Sequence, residues 1–332
     1  MSKKKMETGL LHEGKYIFTL FLISYVLLGC NDNAKITEAV NKIDLNLQIS
    51  RFDQEFAKAE PSDLPLLKKE YPYLFPARYP DSVWVAKLKD TVQVELLREV
   101  DAEFSNFEQE ETDLQLFFKH IKYYFPRFNV PKIVTVTSDV DYENRVILTD
   151  SLLLIGLDNY LGPGHKFYER ISNYISAGMD KKYLVSDVAS AFTKRVVPKA
   201  EDRTFLAQVV YYGKELYVKD RLTPFLSEAQ RIGYSQEDLE WAHLNEEPMW
   251  RYFIERELLY DTDAKLGLRF LDPAPFSKFG LELDNESPGR IGRYLGWQIV
   301  RAFMERNKVS LQQMLALPAE EIFKKSNYKP KK

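Results

Sequence analysis

Side chains that could bind a catalytic metal are sparse in this chain. Its 332 residues include four histidines, His12, His120, His165 and His243. A zinc site on one helix needs two histidines four residues apart, with a glutamate beside the first to activate water. The sequence contains no such pair. We therefore expect no metal and no cofactor, although three dispersed histidines could still meet in a fold.

Groups suited to nucleophilic catalysis are equally scarce. No serine lies in a Gly-x-Ser-x-Gly turn, and no glycine-rich loop has the spacing that holds phosphate. The single cysteine, Cys30, ends an apolar run and has another interpretation, given below. The sequence therefore predicts a protein that is not an enzyme.

Acidic residues leave one catalytic alternative open. Neighbouring carboxylates occur at three places, Glu110–Glu111, Glu246–Glu247 and the group Glu282, Asp284 and Glu286. Two carboxylates that face each other across a cleft can act as general acid and base. Adjacent acids before an apolar helix are more often helix caps, and Glu246 and Glu247 precede such a helix. The alternative to a binding protein is thus an envelope hydrolase that uses Glu246 or Glu286, with or without a metal.

The chain begins like a secreted lipoprotein. Four lysines lie within residues 1–15, and residues 16–28 form an uncharged apolar run. That run is shorter than the ~20 residues of a transmembrane helix. It ends in "LLGC", which resembles the bacterial lipobox, so we expect cleavage before Cys30 and acylation of its thiol. The sequence predicts a signal peptide over residues 1–29 and a lipid-anchored chain outside the cytoplasm that faces the periplasm, in either membrane.

The charge composition argues against one class of partner. The chain has 46 basic and 49 acidic residues, without a long basic stripe. Proteins that bind nucleic acid normally concentrate positive charge on one face. We therefore expect no nucleic acid partner. Because Cys30 is used for lipidation, we also expect no disulfide.

Hydrophobic periodicity predicts the organisation of the rest. Residues 30–42 are a polar tether, and residues 43–332 form a single globular domain with a possible sub-boundary near residue 130. Residues 43–52 alternate as in a strand, and residues 53–126 have helical spacing. Residues 132–157 contain two or three strands, and helical patterns follow to the end. The fold class is α+β, predominantly helical with one small central β-sheet.

The last long helical pattern, "GRIGRYLGWQIVRAFMERN", carries glycines on its apolar side. Gly289, Gly292 and Gly296 follow a three- or four-residue spacing. Since glycine has no Cβ, these positions predict a close approach by another backbone.

Several stretches together point to a family. They are "LLGC", "LLLIGLDNYLGPGHKFY" (152–168), "VVYYGKELY" (209–217) and the segment 245–300. They resemble the gliding-motility lipoprotein family GldB of the Bacteroidota. The resemblance implies a non-enzymatic accessory protein whose partners are envelope proteins of the gliding and type IX secretion machinery.

A more distant similarity concerns the order of segments. "VSDVASAFTKRVV", "VVYYGKELY" and "ESPGRIGRYLGWQIV" are similar in order to the helices of a zincin-like metallopeptidase family. Ser190 and Lys194 would replace its ligand histidines, Ala191 its catalytic glutamate, and Tyr212 a ligand glutamate. The resemblance implies a degenerate zincin-like architecture whose cleft is kept for binding.

The C-terminal half also contains the residue types that dominate protein interfaces, namely tyrosine, tryptophan and arginine. We predict a binding surface that includes Tyr211, Tyr212, Lys214, Trp241, Asn245, Glu246, Arg290 and Arg293.

Overall fold

The structure, a computed structural model, describes residues 30–200, 202–281 and 284–330. The predicted signal peptide and the Cys30 side chain lie outside the described residues. None of the helices in this described part has both the length and the apolar composition needed to cross a membrane.

The described part of the chain divides into two units, with the division between Leu45 and Asn46. In the first unit, the stretch predicted as a polar tether forms helix α1 (Cys30–Asn41). The predicted single domain over residues 43–332, with its possible sub-boundary near residue 130, stays a prediction.

The second unit begins with helices interrupted by prolines. These helices are α2 (Phe52–Lys58), α3 (Leu64–Glu70), α4 (Asp81–Lys89), α5 (Thr91–Glu103) and α6 (Glu108–Tyr124). Pro61 and Pro72 each begin a short 3-10 turn rather than an α-helix. Helix α5 begins where the Asp90 carboxylate accepts hydrogen bonds from the backbone N–H groups of Val92 and Gln93. The helical pattern predicted for residues 53–126 is confirmed.

One mixed sheet lies in the middle of the chain. Its strands are β1 (Ile49–Arg51), β2 (Lys132–Val136), β3 (Val146–Leu148) and β4 (Leu152–Gly156), in the order β1-β2-β4-β3. Strand β2 pairs in the parallel direction with both β1 and β4, and β3 pairs with β4 in the antiparallel direction. The predicted α+β class is confirmed, and residues 132–157 contain three strands where two or three were expected.

The first predicted strand is much shorter than its sequence pattern. Residues 43–52 alternate apolar and polar side chains, but only Ile49–Arg51 pairs with another strand. Strand β1 lies at the edge of the sheet, so only three residues of hydrogen bonding to β2 hold it. The prediction was wrong in length because alternation reports which side chains are buried and not which backbone groups are paired.

An aromatic cluster joins the N-terminal helices to the sheet. Phe52 packs edge-on against Tyr71 and Phe75, with ring centroids 5.0 and 5.9 Å apart. Val134 of β2 belongs to the same buried group, so the short helices are anchored on the central strand. Burial of large aromatic side chains supplies much of the stability of this layer.

Helices dominate the remainder of the chain. They are α7 (Asn173–Ser176), α8 (Leu184–Val196), α9 (Phe205–Leu222), α10 (Glu228–Ile232), α11 (Gln236–Leu244), α12 (Glu246–Glu255), α13 (Lys265–Phe270), α14 (Ile291–Arg306), α15 (Leu311–Ala316) and α16 (Ala319–Ser326). Ser227, Ser235 and Ser310 begin α10, α11 and α15 with reciprocal capping boxes. Helix α8 packs against β3 and against α9, which links this helical layer to the sheet.

Helices α9 and α14 pack with their backbones in close contact. A Cβ at Gly213 of α9 would collide with the backbone carbonyl of Gly296, and a Cβ at Gly296 would collide with the carbonyl of Val209. The backbone also approaches Gly292 from Phe270 and Gly289 from Ala274. The close approach predicted from the three glycines of the last long helix is therefore confirmed.

Gly213→Ala should destabilise the chain strongly, because the new methyl group forces α9 and α14 apart along their whole contact. We expect a loss of about 3 kcal/mol in the free energy of unfolding, the upper part of the usual range for overpacking. Gly164→Ala is the matched control, since a Cβ there meets nothing within 4 Å. Urea unfolding followed by circular dichroism measures both. Equal stability of the two variants would contradict the packing described here.

Candidate functional site

A group of charged side chains lies where α8, α9 and the start of α14 pack together. It comprises Lys194, Glu215, Lys219, Arg290 and Arg293, and we call it the basic cluster. Glu215 interacts electrostatically with Arg293, Lys219 and Lys194, and Lys219 with both arginines. Helices α8, α9 and α14 contain most of the three segments whose order is similar to that of the zincin-like helices. The similarity itself stays a prediction.

Arg293 is held from two sides at the start of α14. Its guanidinium carbon lies 4.0 Å from the centre of the Tyr212 ring, and its Nε donates a 2.6 Å hydrogen bond to the carbonyl of Leu271. Tyr212 is in turn packed edge-on against Tyr211, with centroids 5.2 Å apart. Burial lowers the pKa of Arg293 from its ordinary value. Arg293 is thus a partly buried cation with a fixed orientation.

Arg290 is positioned by an unusual backbone. It precedes α14 with φ of 62°, in the left-handed region that non-glycine residues rarely adopt. Its Nη2 donates to the carbonyl of Gly233 at 2.7 Å, and its guanidinium carbon lies 5.4 Å from the centre of the Tyr234 ring. The Tyr234 hydroxyl donates to the Gly289 carbonyl at 2.6 Å, which holds the same turn. The surrounding contacts therefore stabilise a strained position that brings Arg290 beside Arg293.

Lys219 and Glu215 form the buried floor of the basic cluster. The Lys219 ammonium donates to Ser186 Oγ at 3.0 Å and to the carbonyl of Arg231 at 2.8 Å. Burial lowers the pKa of Lys219 to about 8. Glu215 accepts a 3.1 Å hydrogen bond from the Tyr211 hydroxyl, and burial raises the pKa of its carboxyl group.

The basic cluster carries positive charge without ion pairs. In the part of the chain that the structure describes, no carboxylate oxygen lies within 4.0 Å of a side-chain nitrogen of Arg290, Arg293 or Lys219. By contrast, Arg145 pairs with Asp187 at 3.0 Å close by. Chemically, this arrangement is suited to hold an anion.

Sequence reasoning found part of this cluster and missed part. Arg290, Arg293, Tyr211 and Tyr212 were predicted on a binding surface, and the structure brings them together. Glu215 and Lys219 were not singled out. Their signal was a pair of opposite charges four residues apart on a mostly apolar helix, which places both on one buried face.

Two residues predicted on the binding surface are buried in the fold. Lys214 is 7% exposed and donates to the carbonyls of Leu315 and Leu317 at 3.0 and 2.7 Å, at the end of α15. Glu246 is 3% exposed and accepts hydrogen bonds from the hydroxyls of Tyr294 and Tyr328 at 2.8 and 2.7 Å. Both support the helices beneath a surface rather than presenting themselves to a partner.

Trp241 and Asn245 lie elsewhere, at the end of α11. The Asn245 side chain donates to the carbonyl of Trp241 at 2.8 Å and thereby closes the last turn of that helix. Both side chains are partly exposed. They stay candidates for a contact surface that is separate from the basic cluster.

A second charged network is internal to the helical layer. The Asp220 carboxylate accepts hydrogen bonds from Arg231 Nη1 at 2.6 Å, Arg301 Nε at 2.7 Å and Trp297 Nε1 at 2.8 Å. These partners come from α10 and α14, so Asp220 of α9 joins three helices. Its opposite charges are paired, in contrast to those of the basic cluster.

The carboxylates of the hydrolase alternative do not converge. Glu246 is engaged by the two tyrosines, whereas Glu286 lies exposed in the 3-10 turn Asp284–Glu286. Glu282 lies outside the described residues. Among the described side chains, no group of three or more histidine, cysteine, aspartate or glutamate residues is placed to hold a metal ion.

Comparison with known families gives one match. The family model described as gliding motility protein GldB matches residues 33–330. The chain belongs to the GldB family. The family predicted from the sequence is thereby confirmed, and the match includes every residue of the basic cluster. No curated protein and no solved structure matches the chain.

Asp220→Asn should destabilise this GldB-family protein by about 3 to 5 kcal/mol, because it leaves Arg231 and Arg301 nearly buried beside a neutral amide. Asp150→Asn is the matched control. Asp150 pairs with Arg195 at the surface, where loss of a pair changes stability by at most about 1 kcal/mol. Chemical unfolding of both variants tests the prediction. A loss at Asp220 no larger than that at Asp150 would contradict it.

Burial lowers the pKa of Lys214 to about 8, below its value of about 10.4 in an unfolded chain. Between these values the unfolded chain binds more protons, so stability should rise as the pH increases from about 8 to 9.5. In Lys214→Met this rise should be smaller, whereas the exposed Lys199→Met should keep it. The free energy of unfolding at several pH values measures the slopes. Identical slopes for the two variants would rule out the assignment.

Proposed function

We propose that this protein is a non-enzymatic lipoprotein of the cell envelope that supports gliding motility and the type IX secretion machinery through protein contacts. The observation that carries the proposal is the match to the gliding motility family GldB over residues 33–330. The match includes almost all of the chain that follows the predicted lipidation site.

The anchor in this proposal is an acylated Cys30 at the head of the mature chain. Its support is the signal-like segment ending in "LLGC". Acyl chains on one residue provide membrane affinity of about 0.8 kcal/mol per buried CH₂ group. The protein would then face the periplasm and act at the membrane surface.

A contact function is supported by what the carboxylates do in the fold. Those of Asp220 and Glu246 are hydrogen-bonded by arginine, tryptophan and tyrosine side chains, which suits a structural role. The partly exposed residues of the predicted binding surface include tyrosine, tryptophan and arginine, which are the types that dominate interfaces. We propose Tyr211, Tyr212, Arg290 and Arg293 as the main contact surface and Trp241 with Asn245 as a second one. Lys214 and Glu246 would support them from beneath.

Cys30→Ser should release the protein from membranes, because serine cannot accept the thioether-linked lipid. We expect loss of palmitate labelling and loss of the chain from the washed membrane fraction. Asn33→Ser, close by in sequence but outside the "LLGC" motif, should keep both. Unchanged labelling of Cys30→Ser would disprove lipidation at this residue.

The function itself is tested in gliding cells whose own copy of the gene is deleted. We expect the wild-type chain to restore gliding and Cys30→Ser to restore it poorly. Crosslinking in the same cells, followed by mass spectrometry, should recover envelope components of the motility or secretion machinery. Normal gliding after deletion of the gene would refute the proposal.

A further inference from the structure

We propose that the basic cluster binds a carboxylate group of a partner polypeptide. The inference rests on the proposed contact function and adds to it the chemistry by which the partner is recognised. The carboxylate can come from a C-terminus or from an acidic side chain, and the experiment below separates these two sources.

The first argument is electrostatic. Lys219 is 6% exposed, and Arg290 and Arg293 are partly buried beside it, yet none of the three forms an ion pair within the described part of the chain. Placing like charges together away from water is unfavourable unless an opposite charge accompanies them. A bound anion would supply that charge.

The second argument is the balance of charge around these cations. Glu215 interacts with Arg293, Lys219 and Lys194 but lies beyond ion-pair distance of all three within the described residues. Asp187 interacts with Lys219, but its own ion pair is with Arg145. The cations therefore exceed the carboxylates of the cluster, and one further carboxylate reduces the excess.

The third argument is geometric and concerns the donors that Arg293 offers to a carboxylate. The Arg293 guanidinium lies over the Tyr212 ring, and its Nε is occupied by the Leu271 carbonyl. In the described structure, no hydrogen bond is formed by its two terminal nitrogens. Arginine nitrogens held in a plane match the two oxygens of a planar carboxylate.

The position of the cluster allows a polypeptide to reach it. Arg290, Arg293, Tyr211 and Tyr212 are partly exposed, and Lys194 is exposed in the last turn of α8. Tyrosine rings beside an arginine provide apolar contact area for the backbone and side chains of a bound segment. The site also rests on the rigid contact between α9 and α14, so little ordering is needed on binding.

The test uses the full-length lipoprotein in detergent and three peptide probes. These are acetyl-Gly-Gly-Leu with a free C-terminus, the same peptide with a C-terminal amide, and acetyl-Gly-Glu-Leu-amide. We expect at least one carboxylate peptide to bind ten times more tightly than the amidated peptide by calorimetry. Preference for the first identifies a C-terminus as the source, and preference for the third identifies a side chain.

Variants separate the site from general attraction between charges. Arg293→Gln should weaken binding at least tenfold, and Arg293→Lys should weaken it too because lysine lacks the planar pair of donors. Lys194→Gln, at an exposed position, should weaken binding without risk to the fold. Arg170→Gln removes an exposed arginine elsewhere and should bind like wild type. Circular dichroism confirms that each variant is folded.

Three results would overturn the inference. They are equal binding of the acidic and amidated peptides, binding that Arg170→Gln weakens as much as Lys194→Gln, and thermal stabilisation by inorganic phosphate but by neither carboxylate peptide at equal ionic strength. If one of these results were found and gliding still depended on the protein, the carboxylate inference would fail and the proposed function would not be affected. Carboxylate binding in a protein whose deletion leaves gliding normal would instead refute the function.

Discussion

The contact between α9 and α14 is the constraint on which the helical half of this protein depends. Gly213 and Gly296 allow the two backbones to meet, because a Cβ at either position would collide with a backbone carbonyl of the other helix. The contact places Asp220 beside Arg301 and Trp297, and it also brings Tyr212, in the middle of α9, against Arg293 at the start of α14. The packing of α9 against α14 thus positions both the charged network around Asp220 and the basic cluster.

The Asp220 network and the basic cluster differ in whether their buried charges are paired, and this difference suits one to a structural role and the other to binding. Around Asp220, each positive charge has a partner, so the network strengthens the fold and offers little to a ligand. In the basic cluster, Arg290 and Arg293 are held by carbonyl groups and aromatic rings instead of carboxylates. Such contacts orient a cation without neutralising it, which is the condition for recognition of an outside anion.

Local sequence patterns predicted most of the helices and strands, but they did not predict where each element begins and ends. The helical spacing of residues 53–126 and the apolar runs of residues 132–157 are patterns within single segments. Each pattern shows which side chains of its own segment are buried. Strand β1 shows the limit of this reasoning, since alternation continued well beyond the three residues that pair. Pairing depends on a neighbouring strand 84 residues later, and no local pattern describes that neighbour.

The sequence by itself determined the family, the predicted lipid anchor at Cys30, the fold class and the glycines at which backbones meet. These properties depend on short motifs or on periodicity within one segment. Only the tertiary structure decided that Lys214 and Glu246 are buried and that Glu215 and Lys219 belong with Arg290 and Arg293. It also decided that these cations form no ion pair with any residue that the structure describes. Burial and charge pairing depend on distances between segments far apart in the chain, and those distances exist only once the helices have packed.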